Sequence, residues 1–371
     1  MTLAATCLFG LEKLLGEEIE RLGYRRVETI DGRVLFEGDA HAVVRMNLWS
    51  RYAERIFILL GRFEAGSFEA LFEGTKSCPL EEYIGREDAF PVKGHSIHSR
   101  LTSIPDCQAI VKKAAATRLG EKWKRGWLSE SGTVYQLEFF ILNDICHLML
   151  DTTGVALHKR GYRPQSNAAP LRETLAAAMV AISRPREDVL LWDPMCGSGT
   201  IPIEAALMMT NTAPGLSRHF AAERYPAFPA EWWEEARDEA VAAIREDCAF
   251  EAYGSDADPA CVALAAENVR RAGMSRYVKI FEQDARTISA PGRRATIVCN
   301  PPYGERMGSE AECEQLYREM GKHFRSLAPW QVYIICSNET FERFYGRRAD
   351  KVRKLYNGMI RCGYYQYFKN N

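Results

Sequence analysis

The stretch Asp193-Pro-Met-Cys-Gly-Ser-Gly-Thr200 constrains the fold of this chain more than any other. It follows an apolar run of strand length, Val189-Leu-Leu-Trp192, and precedes Ile201-Pro-Ile-Glu-Ala-Ala-Leu-Met-Met209, which reads as a buried helix. A glycine-rich turn between a strand and a helix is therefore expected. Gly197 and Gly199 permit positive φ and remove Cβ atoms where a ligand approaches the backbone, and the helix start offers free N–H groups to an anion. A small ligand belongs at such a turn.

Acidic residues downstream narrow the choice of ligand. The strand-like Ala249-Phe-Glu-Ala-Tyr-Gly-Ser255 runs into Asp256, and Tyr277-Val-Lys-Ile-Phe281 runs into Gln283-Asp284. Side chains at the carboxyl ends of consecutive parallel strands face the crevice where such sheets bind ligands. Asp256 suits two ribose hydroxyls and Asp284 an adenine amino group, and no phosphate loop of the Gly-Lys-Ser or Gly-Lys-Thr kind occurs. S-adenosylmethionine carries both ligand parts, with a carboxylate and a sulfonium in place of a dinucleotide's pyrophosphate. Taken singly, each aspartate is equally a helix N-cap or turn residue.

A second motif, Asn300-Pro-Pro-Tyr303, follows the apolar run Ala295-Thr-Ile-Val-Cys299 and so belongs at the same edge. An aromatic amino group is a poor nucleophile because its lone pair is delocalised into the ring. The Asn300 side-chain carbonyl and the Pro301 backbone carbonyl can accept its two hydrogens, favouring a pyramidal nitrogen. Pro301 and Pro302 stiffen the loop, and Tyr303 offers a face to an extruded base, a stacking contact worth about 1–3 kcal/mol. A lone Pro-Pro-Tyr is more often an ordinary loop; its position relative to the glycine turn gives it weight.

These motifs resemble those of the class I S-adenosylmethionine-dependent methyltransferases, and within them the THUMP-containing RNA guanine-N2 methyltransferases. His158-Lys-Arg-Gly-Tyr-Arg163 and Ala169-Pro-Leu-Arg-Glu-Thr-Leu-Ala176 are similar to the family segment that enters the catalytic domain and lines the methionine end of the cofactor, which implies Leu171 and Thr174 as cofactor contacts. Cys196 stands where the family carries a small residue, and Lys354-Leu-Tyr-Asn-Gly-Met359 resembles its late strand and turn. The likeness is closest to the branch that methylates guanine in bacterial large-subunit (23S) ribosomal RNA. The fused second methyltransferase of some members is not in this sequence. The implied fold is α/β: a Rossmann-like, mostly parallel sheet with a terminal antiparallel hairpin, preceded by an α+β ferredoxin-like part and a THUMP region. The implied cofactor set is Leu171, Thr174, Asp193, Cys196, Gly197, Gly199, Asp256, Asp284 and Asn300.

At 371 residues the chain suits two or three domains. We divide it into residues 1–47, a ferredoxin-like part; 48–155, a THUMP region that holds RNA; and 156–371, the methyltransferase. The first part holds an amphipathic helix, Gly10 to Leu22, and strands around Gly32. In the second, Phe90 to Lys93, His95 to Ser99 and Val134 to Ile141 read as strands and Gln108 to Leu119 as a helix. In the third, Glu314 to Leu327 reads as a helix, Gln331 to Cys336 as a buried strand, and Val352 to Phe368 as a hairpin turning at Asn357-Gly358. Between its first two strands lies an enlarged connection, Thr210 to Cys248, holding Phe220, Tyr225, Phe228, Trp232 and Trp233. Its helix from Ala230 to Ala240 is expected to pack aromatics on the sheet, with a border of the base pocket as the other reading for the preceding stretch.

A net charge of −1 argues against a uniformly basic nucleic-acid binder. Locally, residues 93–126 carry Lys93, Arg100, Lys112, Lys113, Arg118, Lys122, Lys124 and Arg125 against Asp106 and Glu121. This patch, with Lys93, Lys112, Lys113 and Lys122 foremost, is expected to meet RNA phosphates; a merely solvated helix face is the other reading. His158, Lys159, Arg160 and Arg163 form a second candidate set, or else a linker and cofactor lid. The eleven cysteines are dispersed with no Cys-x-x-Cys pair, which favours reduced thiols over a zinc site, so no metal is expected. No apolar run approaches a membrane span and the start lacks a signal-like core, so no membrane partner and a cytoplasmic location are expected. The expected activity is methyl transfer from S-adenosylmethionine to guanine N2 in large-subunit ribosomal RNA. A transfer-RNA guanine enzyme, a DNA adenine enzyme and a non-catalytic RNA-binding assembly factor are the alternatives.

Overall fold

The computed structural model describes residues 1–164, 171–289, 292–303 and 310–368; Ala169 and Pro170 of the family-like segment lie outside them. Among the described residues the strands sort into two seven-stranded sheets, one from each half of the chain.

The first half comprises β1 (Thr2–Cys7), α1 (Glu12–Arg21), β2 (Arg25–Ile30), β3 (Arg33–Glu37), α2 (Ala40–Trp49), β4 (Ala53–Glu64), α3 (Phe68–Ser77), β5 (Val92–Ile97), α4 (Ile104–Trp123), β6 (Leu137–Leu142) and β7 (Ile145–Asp151). Helix starts follow local chemistry: the side chains of Asp39, Ser67 and Ser103 accept backbone N–H groups at the heads of α2, α3 and α4. On α1, Leu15 and Ile19 repeat at helical spacing and are fully buried. The two strand pieces expected from Phe90 to Ser99 form the single strand β5. Strand order is β2-β3-β1-β4-β7-β6-β5. The twelve-residue β4 pairs with β1 on one edge and β7 on the other, so one hydrogen-bonded sheet runs through both proposed N-terminal units. The division set between residues 47 and 48 falls inside α2.

The second half comprises α5 (Glu173–Ser183), β8 (Leu190–Asp193), α6 (Thr200–Met209), α7 (Ala230–Ala242), β9 (Ala252–Asp256), α8 (Pro259–Arg271), β10 (Val278–Glu282), β11 (Ala295–Cys299), α9 (Glu310–Ser326), β12 (Gln331–Cys336), α10 (Phe341–Tyr345), β13 (Lys351–Asn357) and β14 (Ile360–Tyr367). Its order is β10-β9-β8-β11-β12-β14-β13. Neighbours from β10 to β12 run parallel, while β14 is antiparallel to both β12 and β13. From β8 the sheet grows one way through β9 and β10 and the other way through β11 and β12. That reversal opens a crevice at the carboxyl ends of β8 and β11.

The enlarged connection joins the halves. Phe220, Tyr225, Phe228 and Trp233 are core residues and Trp232 is half-buried, but partners of this connection lie in the first half rather than on the second sheet. Tyr225 stacks on Tyr135 at a ring separation of 4.1 Å and donates its hydroxyl to the Asp151 carbonyl at 2.9 Å. Trp232 of α7 lies against His41 of α2 at 4.0 Å. Backbone bonds from Gly215 to Leu48, Ala221 to Thr153 and Ala222 to Thr152 complete the seam. Arg160 also belongs to this seam, which corrects its expected role as an RNA contact. It is only 3% exposed; its guanidinium donates to the carbonyls of Leu157 and Arg51, each at 2.7 Å, and lies 3.6 Å from the buried Glu204 carboxylate of α6. A cation so enclosed cannot reach a phosphate.

Candidate active site

The turn after β8 is tied to its neighbours by the backbone. Cys196 N–H donates to the Ser255 carbonyl at 2.9 Å, and Gly197 N–H donates to Asp256 Oδ2 at 2.9 Å. Gly199 caps α6 with φ +78°, and a Cβ there would lie 3.2 Å from the Ala265 Cβ of α8. An L side chain at 199 would therefore be strained by its backbone and crowd α8. Asn268 of α8 donates to the Ser198 carbonyl at 2.9 Å, fixing the same turn from behind.

Asp193, Asp256 and Asp284 all reach one cavity of about 340 Å³. Burial drives the Asp193 carboxyl well above the usual range, and nearby Asp256 pushes it further. The Asp193 carboxyl accepts the Met195 N–H at 3.2 Å, and among the described residues no Lys, Arg or His pairs with it. Asp256 accepts one backbone hydrogen on each oxygen, from Gly197 and from Asp258 at 3.1 Å, and keeps further acceptor positions on both. Asp284 caps a short 3-10 turn, Ala285–Thr287, while also lining the cavity, so its cap reading and its ligand reading coexist. Arg286 grips both its oxygens, at 2.8 and 2.5 Å, and is held in turn by Glu319 at 2.8 Å; this pairing keeps the Asp284 carboxyl below its usual range.

Asn300, Pro301, Pro302 and Tyr303 line the same cavity. The Tyr303 hydroxyl donates to Asn300 Oδ1, and Tyr317 of α9 donates to the Pro302 carbonyl at 2.6 Å. Burial raises the Tyr303 hydroxyl well above its ordinary range, so it remains a protonated donor. The Asn300 carbonyl is thus oriented by a tyrosine hydroxyl, a contact that the motif alone did not reveal. Cys196 and Cys299 are buried, and burial pushes both thiols up, which suits packing rather than nucleophilic work.

Of the residues implied by resemblance, Leu171, Asp193, Cys196, Gly197, Asp256, Asp284 and Asn300 line the cavity. Thr174 does not: it is fully buried, with its hydroxyl donating to Glu54 of β4 at 2.6 Å. Gly199 shapes the turn instead of facing the cavity. Sequence reasoning missed Arg286 and the hairpin residues Asn357 and Ile360, which also line it. It placed Arg163 in a second candidate RNA-contact set, or else in a linker and cofactor lid. Arg163 donates to the Leu171 carbonyl at 2.9 Å and the Thr200 hydroxyl at 2.8 Å, pairing with Glu173 at 3.0 Å, and so ties α5 to the head of α6.

The basic patch around α4 is partly neutralised. Lys112 donates to Glu130 at 2.5 Å and sits 3.5 Å from the centre of the Phe90 ring; Arg118 pairs with Glu81, and Lys122 lies 3.9 Å from the same carboxylate. Lys93, Lys113 and Lys124 are exposed, and Lys113 and Lys124 border a shallow groove with Arg125. No grouping of His, Cys, Asp and Glu suited to a metal ion occurs among the described residues, and no helix among them is long and apolar enough to cross a membrane.

The donor set fits S-adenosylmethionine. A buried carboxyl without a basic partner suits a ligand cation, acceptors on Asp256 suit hydroxyls, and Asp284 suits an amino-bearing heterocycle. Residues 160–366 match the family model described as the RMKL-like methyltransferase domain, residues 2–57 the RlmL ferredoxin-like domain, and residues 65–151 the THUMP domain. A putative RNA methyltransferase, YpsC of Bacillus subtilis, is 42% identical, with 99% of this chain and 96% of the relative covered. The ribosomal RNA large subunit methyltransferase K/L of Desulfotalea psychrophila is 32% identical over 97% of this chain; the chain spans about half of that relative, 52%. The crystal structure of SMU.472, a putative methyltransferase complexed with SAH, superposes with a TM-score of 0.93 at 37% identity, covering 100% of this chain and 98% of that one.

Proposed function

Because the chain belongs to the RMKL-like S-adenosylmethionine-dependent methyltransferases, we propose that it methylates the exocyclic N2 amino group of a guanine in RNA, specifically in large-subunit ribosomal RNA. The observation that carries the reading is the meeting of Asp193, Asp256, Asp284 and Asn300–Tyr303 around one cavity. When bound, S-adenosylmethionine supplies an electrophilic methyl group. Asp193, Cys196, Gly197, Asp256 and Asp284 would hold it, with Leu171 closing the methionine end. Asn300 Oδ1 and the Pro301 carbonyl accept the hydrogens of the target amino group and aim its lone pair into the cavity. Tyr303 keeps the Asn300 amide in place through its hydroxyl and presents its ring to the base. An alkylated ring amine sheds its proton readily, so a strong base beside it is not required.

RNA as substrate is supported by the THUMP match and by the name of YpsC; large-subunit RNA is supported by the name of the K/L relatives. Exposed Lys93 and Lys113 are the proposed phosphate contacts, and the cytoplasm, where that RNA resides, is the proposed place of action. The test is incubation with methyl-labelled S-adenosylmethionine and separate unmodified ribosomal and transfer RNA pools, followed by nucleoside mass spectrometry. N2-methylguanosine in large-subunit RNA is the expected product. Label confined to transfer RNA would overturn the substrate, label on adenine would overturn the base, and cofactor binding without label would favour a scaffold.

A further inference from the structure

The hairpin of β13 and β14 closes at Gly358-Met359, between the paired Asn357 and Ile360. Both flanking residues line the cavity. Met359 is 93% exposed, more than any other large apolar side chain among the described residues. A two-residue hairpin turn ordinarily carries Asn, Asp or Gly, and an apolar side chain held in water adds nothing to the stability of the hairpin. The strand leading to it is braced from the other half of the chain: Tyr356 meets Phe9 edge-on at 5.7 Å, and Gly10 approaches so closely that a Cβ there would stand 2.6 Å from the Lys354 carbonyl. The apolar tip is thus a supported projection at the mouth of the base pocket.

Resting on the guanine reading above, we propose that Met359 is a wedge that enters an RNA helix and fills the space the target base leaves when it turns into the cavity. A stacked, paired guanine cannot bring its amino group to Asn300, so the enzyme must bear the cost of unstacking it. Apolar side chains inserted between base steps hold such openings. A thioether suits the task because it is unbranched, polarizable and at ease against aromatic faces. An amide or charged tip would lose its hydration on entering the stack. Asn357 and Ile360 place the wedge beside the pocket that receives the base, and Phe9 of the ferredoxin-like part braces the strand that carries it.

The test compares two short RNA duplexes built around the guanine located by mapping the label to an RNA fragment, one with that guanine paired to cytosine and one with it unpaired. Met359→Ala should lower the paired-to-unpaired ratio of kcat/KM by about tenfold or more, because only the paired substrate needs the opening held. Met359→Leu should restore the ratio. An unchanged ratio for Met359→Ala, or an equal loss on both duplexes, would overturn the wedge. Label mapped to a base other than guanine would instead overturn the guanine reading, and the wedge with it.

Discussion

The seam between the two halves and the cavity at the edge of the second sheet both bury charge, and they resolve it in opposite ways. In the seam, Arg160 faces Glu204 and donates to backbone carbonyls, and the buried Arg51 donates to the Thr212 carbonyl at 2.9 Å. In the cavity, Asp193 is just as buried yet has no cation beside it among the described residues. A buried ionisable group already paired with a counter-charge holds structure together, whereas a carboxyl without one, whose charged form burial disfavours, is prepared for a ligand cation. The surface around α4 is a third case. There the Arg118–Glu81 pair is half-buried, the Arg125–Glu87 pair is exposed and contributes little to stability, and the field of Lys93, Lys113 and Lys124 is left to act outward.

The contrast can be broken most sharply at the seam. Arg160→Met would leave Glu204 buried without its cation and should destabilise the protein by about 3–5 kcal/mol, read from denaturant unfolding. A loss under about 1 kcal/mol, with weakened RNA binding, would return Arg160 to the RNA surface. In the cavity, Asn300→Ala should cut methyl transfer by about 10²–10³-fold, the scale of removing one positioned polar group, while calorimetry finds cofactor affinity nearly unchanged. Retained turnover would remove the amino-positioning mechanism. Asp256→Ala should weaken cofactor binding by about ten- to a hundredfold, since hydrogen bonds to a charged group are lost; wild-type affinity would sink that assignment. The smallest effect belongs to the surface: Lys113→Ala should reduce the salt dependence of RNA binding by about one unit of slope without shifting the unfolding midpoint. An unchanged slope would make the patch a solvated face.

What could be read in advance varied with how local the cause was. The strands at Ala295–Cys299 and Gln331–Cys336 lie where their apolar runs put them, because a strand buried on both faces needs a continuous hydrophobic segment. The Asn357-Gly358 pair likewise announced the closing hairpin, although Asn357 is still paired with Ile360 and the turn itself is Gly358-Met359, one residue later. Strand β4 went unread: its buried and exposed positions alternate irregularly, since it serves two neighbours with a register shift against β7. The tight β6–β7 turn at Asn143-Asp144, with both residues at positive φ, carried a usable signal that was overlooked. The aromatic connection was rightly read as core, but no local pattern could say that its core lay on the other half of the chain.

The sequence by itself determined the catalytic elements, their edge of the sheet and the type of ligand, because glycine turns, strand-ending aspartates and a proline-stiffened loop act within a few residues of where they are written. Only the tertiary structure decided which charges are satisfied. Arg118 finds Glu81, Lys112 finds Glu130 and Arg160 finds Glu204 across distant stretches of chain, and burial, which sets the cost of each charge, exists only once those stretches have met.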